Sequence, residues 1–150
     1  MRDINEQVNG QSEQADIKIG QNMEFVVINK AKHLCEVTMK ACEKMPKNHI
    51  ILRRRLEGFV MDVIESVVLA NETYFRNEMQ YENRRALQNT ALAKLTLITT
   101  FSQFCRDGIY TGALTAKQYE NISVATYELR QLIGGWIKSD RKRLAKMLDK

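Results

Sequence analysis

Apolar residues recur every three or four positions along most of the 150-residue chain, the spacing that gives one face of an α-helix its hydrophobic stripe. From about Met23 to Met45, Val27, Ala31, Leu34, Thr38, Ala41 and Met45 share such a stripe, widened by Phe25, Ile28, Cys35, Met39 and Cys42. Pro46 then breaks the helix, since it lacks a backbone donor. A second stripe runs through Leu52, Leu56, Phe59, Val63, Val67, Ala70 and Tyr74, with Val60, Ile64 and Val68 beside it. So wide an apolar surface predicts a helix covered on two sides, or one that also faces another subunit, ending near Asn77. The β-branched run from Val63 to Val68 favours a strand locally, but the unbroken spacing outweighs it.

A third helix is predicted from about Met79 to Arg106, with Leu87, Ala91, Leu95, Ile98, Phe101 or Ser102, and Cys105 inward. Gly108 and Gly112 mark the next break, Gly108 suiting the left-handed position after a helix end. Thr115 and Gln118 then have the spacing of a capping box. The fourth helix turns Tyr119, Ile122, Thr126, Leu129, Ile133 and either Trp136 or Ile137 inward; Leu144, Met147 and Leu148 continue it or fray. Long helices with short connections predict an all-α fold, an antiparallel up-down-up-down four-helix bundle over residues 22–150 with a basic C-terminal end. Residues 1–21, rich in Asn, Gln, Asp, Glu and Gly, are set apart as a polar, mobile N-terminal tail.

Composition adds one domain, with 44% hydrophobic and 27% charged residues. The chain has neither the ~18-residue apolar run of a membrane helix nor a signal-peptide core, so a cytoplasmic location is expected. The three cysteines are then reduced thiols. Cys35 and Cys42 stand about 10 Å apart by helical rise, too far for a bridge within one helix.

Charge is more informative. The formal net charge is +5 and the pI about 9.2, and from residue 108 onward eight Lys and Arg face four Asp and Glu. Arg53, Arg54 and Arg55 open the second helix, where the helix dipole disfavours cations. Arg84 and Arg85 form a second pair, and Lys138, Arg141, Lys142 and Arg143, with Lys146, the densest cluster. Each cluster reads either as a solvated face or as a phosphate-binding surface, in which arginine hydrogen bonds would give shape-tolerant, salt-dependent binding. Tyr74, Tyr81 and Tyr110 either stack on unpaired bases or pack on neighbouring side chains.

Catalysis is not expected. His33 and His49 lie outside any zinc-ligand pattern, and Asp62 and Glu65 lack the Glu-x-x-His partners of a di-iron bundle. Neither a phosphate-binding glycine loop nor a nucleophile elbow is present, and no metal or cofactor is expected.

Gly134 and Gly135 interrupt the fourth helix at roughly 1 kcal/mol each against alanine. They read as close helix packing, inside one bundle or between subunits, with Trp136 covering the seam. The segment Leu114-Thr-Ala-Lys-Gln-Tyr-Glu120, then Ile122, Glu128-Leu129 and Leu132-Ile-Gly-Gly-Trp-Ile137 with a basic end, resembles the accessory variability determinant of diversity-generating retroelements. Leu56-Glu-Gly58, leading into an apolar run, is also similar. The resemblance covers about Met23 to Arg143 and extends to the bundle proteins encoded in intervening sequences of large-subunit ribosomal RNA genes. It implies a homopentameric basic barrel that binds a reverse transcriptase and template-repeat RNA or cDNA, and that supports mutagenic retrohoming without being the polymerase. The alternative is a purely structural oligomer of the ribosomal intervening-sequence type.

Overall fold

A computed structural model describes the backbone of residues 3–107 and 112–149, and the side chains of 23–107 and 112–149. It is all-helical over these residues, with α1 (Asp3–Glu43), a short 3-10 turn (Lys47–His49), α2 (Ile50–Glu72), α3 (Glu78–Arg106) and α4 (Ala116–Leu148). The four-helix bundle expected from the apolar spacing is therefore present, with α2 packed on α3, α1 on α4, α1 on α2 and α3 on α4.

The sequence boundary at residue 21 is not a helix boundary. Helix α1 runs back to Asp3 through the segment set apart as a tail. That segment contains no proline, and its Glu, Gln, Ala and Lys residues are sound helix formers, so polarity alone was no reason for a break. After Pro46 the break falls as expected.

Helix α2 stops at Glu72, five residues before Asn77, because Thr73 closes it: its amide and hydroxyl both bond to the Leu69 carbonyl. Asn77 instead starts α3, its side chain accepting the Gln80 amide at 2.9 Å while Gln80 Oε1 accepts the Arg76 amide at 2.8 Å. Tyr74 consequently leaves the apolar stripe and is exposed, whereas Phe75 is buried under the end of the bundle, edge-on to Tyr81. At α4 the capping box is complete: Thr115 Oγ1 accepts the Gln118 amide, and Gln118 Oε1 accepts the Thr115 amide. Gly112 has φ +93°, so glycine is needed there; Gly108 and Tyr110 lie outside the described residues.

The core runs the length of the bundle, from Val27, Val67 and Ile133 to Leu56, Ile98 and Ile122. Of the inward residues expected on α3 and α4, Ala91, Leu95, Ile98, Cys105, Ile122, Thr126, Leu129 and Ile133 are buried. The open choices resolve to Ser102 rather than Phe101, and to Trp136 and Ile137 together. Leu87 and Tyr119 are half-buried, and α4 continues to Leu148.

The three cysteines are free. Burial pushes the Cys42 thiol up to about 12, helped by Glu57, and Cys105 up to about 11; half-buried Cys35 is raised more modestly, by burial and then Glu36. Because the thiolate is the nucleophile, a raised pKa slows reaction at neutral pH. At pH 8, Cys35 is expected to react with a disulfide reagent in the folded protein, while Cys42 and Cys105 wait for denaturant. Prompt titration of all three in the native protein would contradict this packing.

Candidate nucleic-acid interface

The residues singled out by charge separate into outward cations and an inward clamp. Arg84 is the surprise: only 1% of its side chain is exposed. It lies on the buried α3 stripe that runs Tyr81, Arg84, Gln88, Ala91, Leu95. Its guanidinium donates to both oxygens of Asp140, from Nε to Oδ2 at 2.7 Å and from Nη2 to Oδ1 at 3.0 Å. Nη2 also donates to Glu24 Oε1 at 2.6 Å, and Nη1 to the Ala70 carbonyl at 3.4 Å. Gln88 Nε2 donates to Asp140 Oδ2 at 2.8 Å. Burial acts to lower the Arg84 pKa, but hydrogen bonds and charge from Asp140 and then Glu24 outweigh it and the net shift is upward. The expectation that Arg84 belongs to a binding surface is therefore corrected: its donors are committed inside.

Aromatic rings close the clamp. Arg84 lies 4.8 Å from the Trp136 ring centroid and 5.7 Å from that of Phe75. Arg143 lies over Phe75 at 4.0 Å and Tyr74 at 5.1 Å, so it too is half-drawn into the bundle end. Tyr81 is buried against Phe75, which takes it out of base stacking.

The remaining cations face outward. Arg54, Arg55, Lys138, Arg141 and Lys142 are exposed, with no carboxylate in ion-pair range among the described residues. Arg53 differs from its neighbours, since its Nε donates to Glu57 at 2.8 Å and that bond raises its pKa. Arg85 donates to Asn89 at 2.6 Å. The clusters lie at two ends of the molecule. Arg54 and Arg55 sit by the end of α1, as the 4.0 Å approach of Cys42 Sγ to the Arg53 carbonyl shows, while Lys138, Arg141 and Lys142 flank the Arg84 clamp.

The two glycines are not equivalent. A Cβ on Gly135 would stand 3.0 Å from Met23 Cε, whereas one on Gly134 would meet nothing within 4 Å. Packing among the described residues accounts for Gly135 weakly, because the Met23 tip is flexible, and does not account for Gly134. Asp62 pairs with Lys94 at 3.0 Å, and among the described residues no group of three His, Cys, Asp or Glu could hold a metal ion.

Sequence reasoning missed Asp140, Gln88, Glu24 and Phe75. Trp136, Asp140 and Arg143 follow four-and-three spacing on α4, and Arg84 and Gln88 continue the α3 stripe, so polar residues interrupting an apolar period were the available signal. Comparison of the chain with protein-family models, curated proteins and solved structures finds no match.

Removing Asp140 leaves a buried guanidinium with only one carboxylate. Asp140→Ala is expected to cost about 3 kcal/mol or more, and Glu24→Ala about 1 kcal/mol, because Glu24 is 20% exposed and makes a single bond. Urea unfolding checks the order, and equal losses would refute it.

Proposed function

We propose that this chain is a non-catalytic accessory subunit of a diversity-generating retroelement, working in the cytoplasm and binding the reverse transcriptase and template-repeat RNA or cDNA through its basic surfaces. The observation that carries the reading is the set of exposed cations, Arg54, Arg55, Lys138, Arg141 and Lys142, without carboxylate partners among the described residues. Other cations are paired, as in Lys30–Glu128 at 3.3 Å and Arg53–Glu57 at 2.8 Å. Unpaired cations attract polyanions, and their charge is most effective when repeated around an assembly. The resemblance of the Leu114–Ile137 region to the accessory family supplies the particular partners.

In this reading the helices run antiparallel, up-down-up-down, and five bundles close into a barrel. Glu24, Ala70, Arg84 and Asp140, one from each helix, meet at a single end, which supports that order. Outward Ile51, Met61, Val68 and Leu69 on α2, with exposed Gly58 among them, support self-association. They equally favour the second reading, a structural oligomer of the ribosomal intervening-sequence type with no transcriptase. Among the described residues no helix is long and apolar enough to cross a membrane.

The deciding experiment is an affinity pull-down of tagged protein from its host, with mass spectrometry of bound proteins and sequencing of bound RNA. A reverse transcriptase with one template-like RNA is expected; this chain alone, or ribosomal RNA fragments without transcriptase, would replace the accessory reading by the structural one. Replacing Arg54, Arg55, Arg141 and Lys142 by glutamine should weaken RNA or transcriptase binding about tenfold or more while leaving helicity intact. Gly134→Ala should raise the stability of the isolated chain by about 1 kcal/mol and weaken its assembly by sedimentation. Unchanged assembly would remove Gly134 from the subunit contact.

A further inference from the structure

Val37, Lys40, Ala41 and Lys44 near the end of α1 face Gln118 and Asn121 in the first turns of α4 across a cleft of about 330 Å³. Its floor is apolar, with Ala41 buried and Val37 half-buried, and the polar residues stand around it. Lys40 and Lys44 lie one helical turn apart, as do Gln118 and Asn121, so two polar pairs confront each other.

Hydrogen-bond direction decides what such a cleft can hold. A lysine ammonium only donates. Gln118 Oε1 is already committed to the Thr115 amide at 2.9 Å, which leaves its amide nitrogen as the free end. Asn121 carries a side-chain amide nitrogen of the same kind. No carboxylate lines the cleft, and neither lysine has one in ion-pair range among the described residues. A groove between α3 and α4 is built differently: there Thr96, Thr99, Thr100 and Thr126 each donate to a carbonyl one turn back, and Arg130 donates to Thr96 Oγ1 at 2.9 Å, so much of its polar lining is already bonded within the chain.

We infer that the cleft between α1 and α4 seats a phosphate of a nucleic-acid backbone, with Lys40 and Lys44 supplying charge and the Gln118 and Asn121 amides supplying directed donors. This rests on the nucleic-acid reading proposed above. The cleft lies at the same end of the bundle as Arg54 and Arg55, and it adds a concave seat to the exposed charge of that end. A seat holds one phosphate in a fixed position, while free cations hold a strand without fixing its register.

The test uses the full chain and a fluorescently labelled single-stranded RNA, with affinity read by anisotropy across a salt series. The double variant Lys40→Gln, Lys44→Gln is expected to weaken binding about tenfold and to lower the slope of log K against log salt by about 0.7 for the lost phosphate. The pair Lys40→Arg, Lys44→Arg should keep both. Titration with inorganic phosphate should move the side-chain amide NMR signals of Gln118 and Asn121 in the wild type and leave them in place in the glutamine variant. If the glutamine variant binds RNA as the wild type does, while Arg54→Gln, Arg55→Gln weakens binding, the cleft assignment is wrong and the functional reading stands. Loss of transcriptase binding with RNA binding intact would give the cleft to a protein partner and also overturn the inference. A wild type that binds no RNA removes the functional reading, and the phosphate seat with it.

Discussion

A guanidinium buried between helices constrains everything at one end of this bundle. Arg84 has its donors spent on Asp140 from α4, Glu24 from α1 and the Ala70 carbonyl from α2, while Trp136 and Phe75 stand against its faces. Desolvating an ion pair consumes most of the Coulomb energy it regains, so the clamp adds little net stability over apolar packing. Its effect lies in what it forbids. Rotating or sliding α3 against α4 would break the Arg84–Asp140 pair and leave a buried charge without its main partner, which costs several kcal/mol, while shifts of α1 or α2 forfeit the bonds to Glu24 or the Ala70 carbonyl; an all-apolar stripe tolerates such shifts with modest repacking.

The clamp also shapes the charge of the outer surface. Asp140 is the one carboxylate within the Lys138–Arg143 run, and it is turned inward to meet Arg84. Lys138, Arg141 and Lys142, on the other side of α4, have no carboxylate in ion-pair range among the described residues. A single helical phase therefore does two things: the face carrying Trp136 and Asp140 locks the bundle, and the opposite face carries Lys138, Arg141 and Lys142. Arg143 lies at the border, held over Phe75 and Tyr74, where a cation can remain charged while its planar group packs on apolar rings.

What was legible in the sequence follows from this physics. Periodicity located the helices because apolar burial dominates each stripe, and the Thr115 and Gln118 capping box was legible because both halves of it are local. Asn77 was misread as the end of α2 because a good N-cap residue looks the same at either side of a turn. Arg84 was misassigned for a different reason. Adjacent arginines look like a surface patch; the α3 period shared by Arg84 and Gln88 was the local sign of burial, but its carboxylate partners Asp140 and Glu24 lie 56 and 60 residues away. That Lys40 and Lys44 share a cleft with Gln118 and Asn121 was not legible either, because spacing within α1 cannot show what lies across on α4.

Gly134 and Gly135 show how far the isolated chain explains itself. Both lower helix propensity by roughly the same amount. At Gly135 a methyl group would press on Met23, so some of the cost is offset by close packing of α4 against α1. At Gly134 a methyl group would meet nothing within 4 Å, and no contact among the described residues offsets the cost. Gly58, on the outward side of α2 among Ile51, Met61, Val68 and Leu69, is in the same position. Two helices thus carry outward glycines that stability of a single bundle would replace, and close approach of another helix is the physical circumstance in which a missing side chain is an advantage. The inward faces of α2 and α4 are accounted for by the core and the clamp, and the self-association proposed above is what would make use of the outward ones.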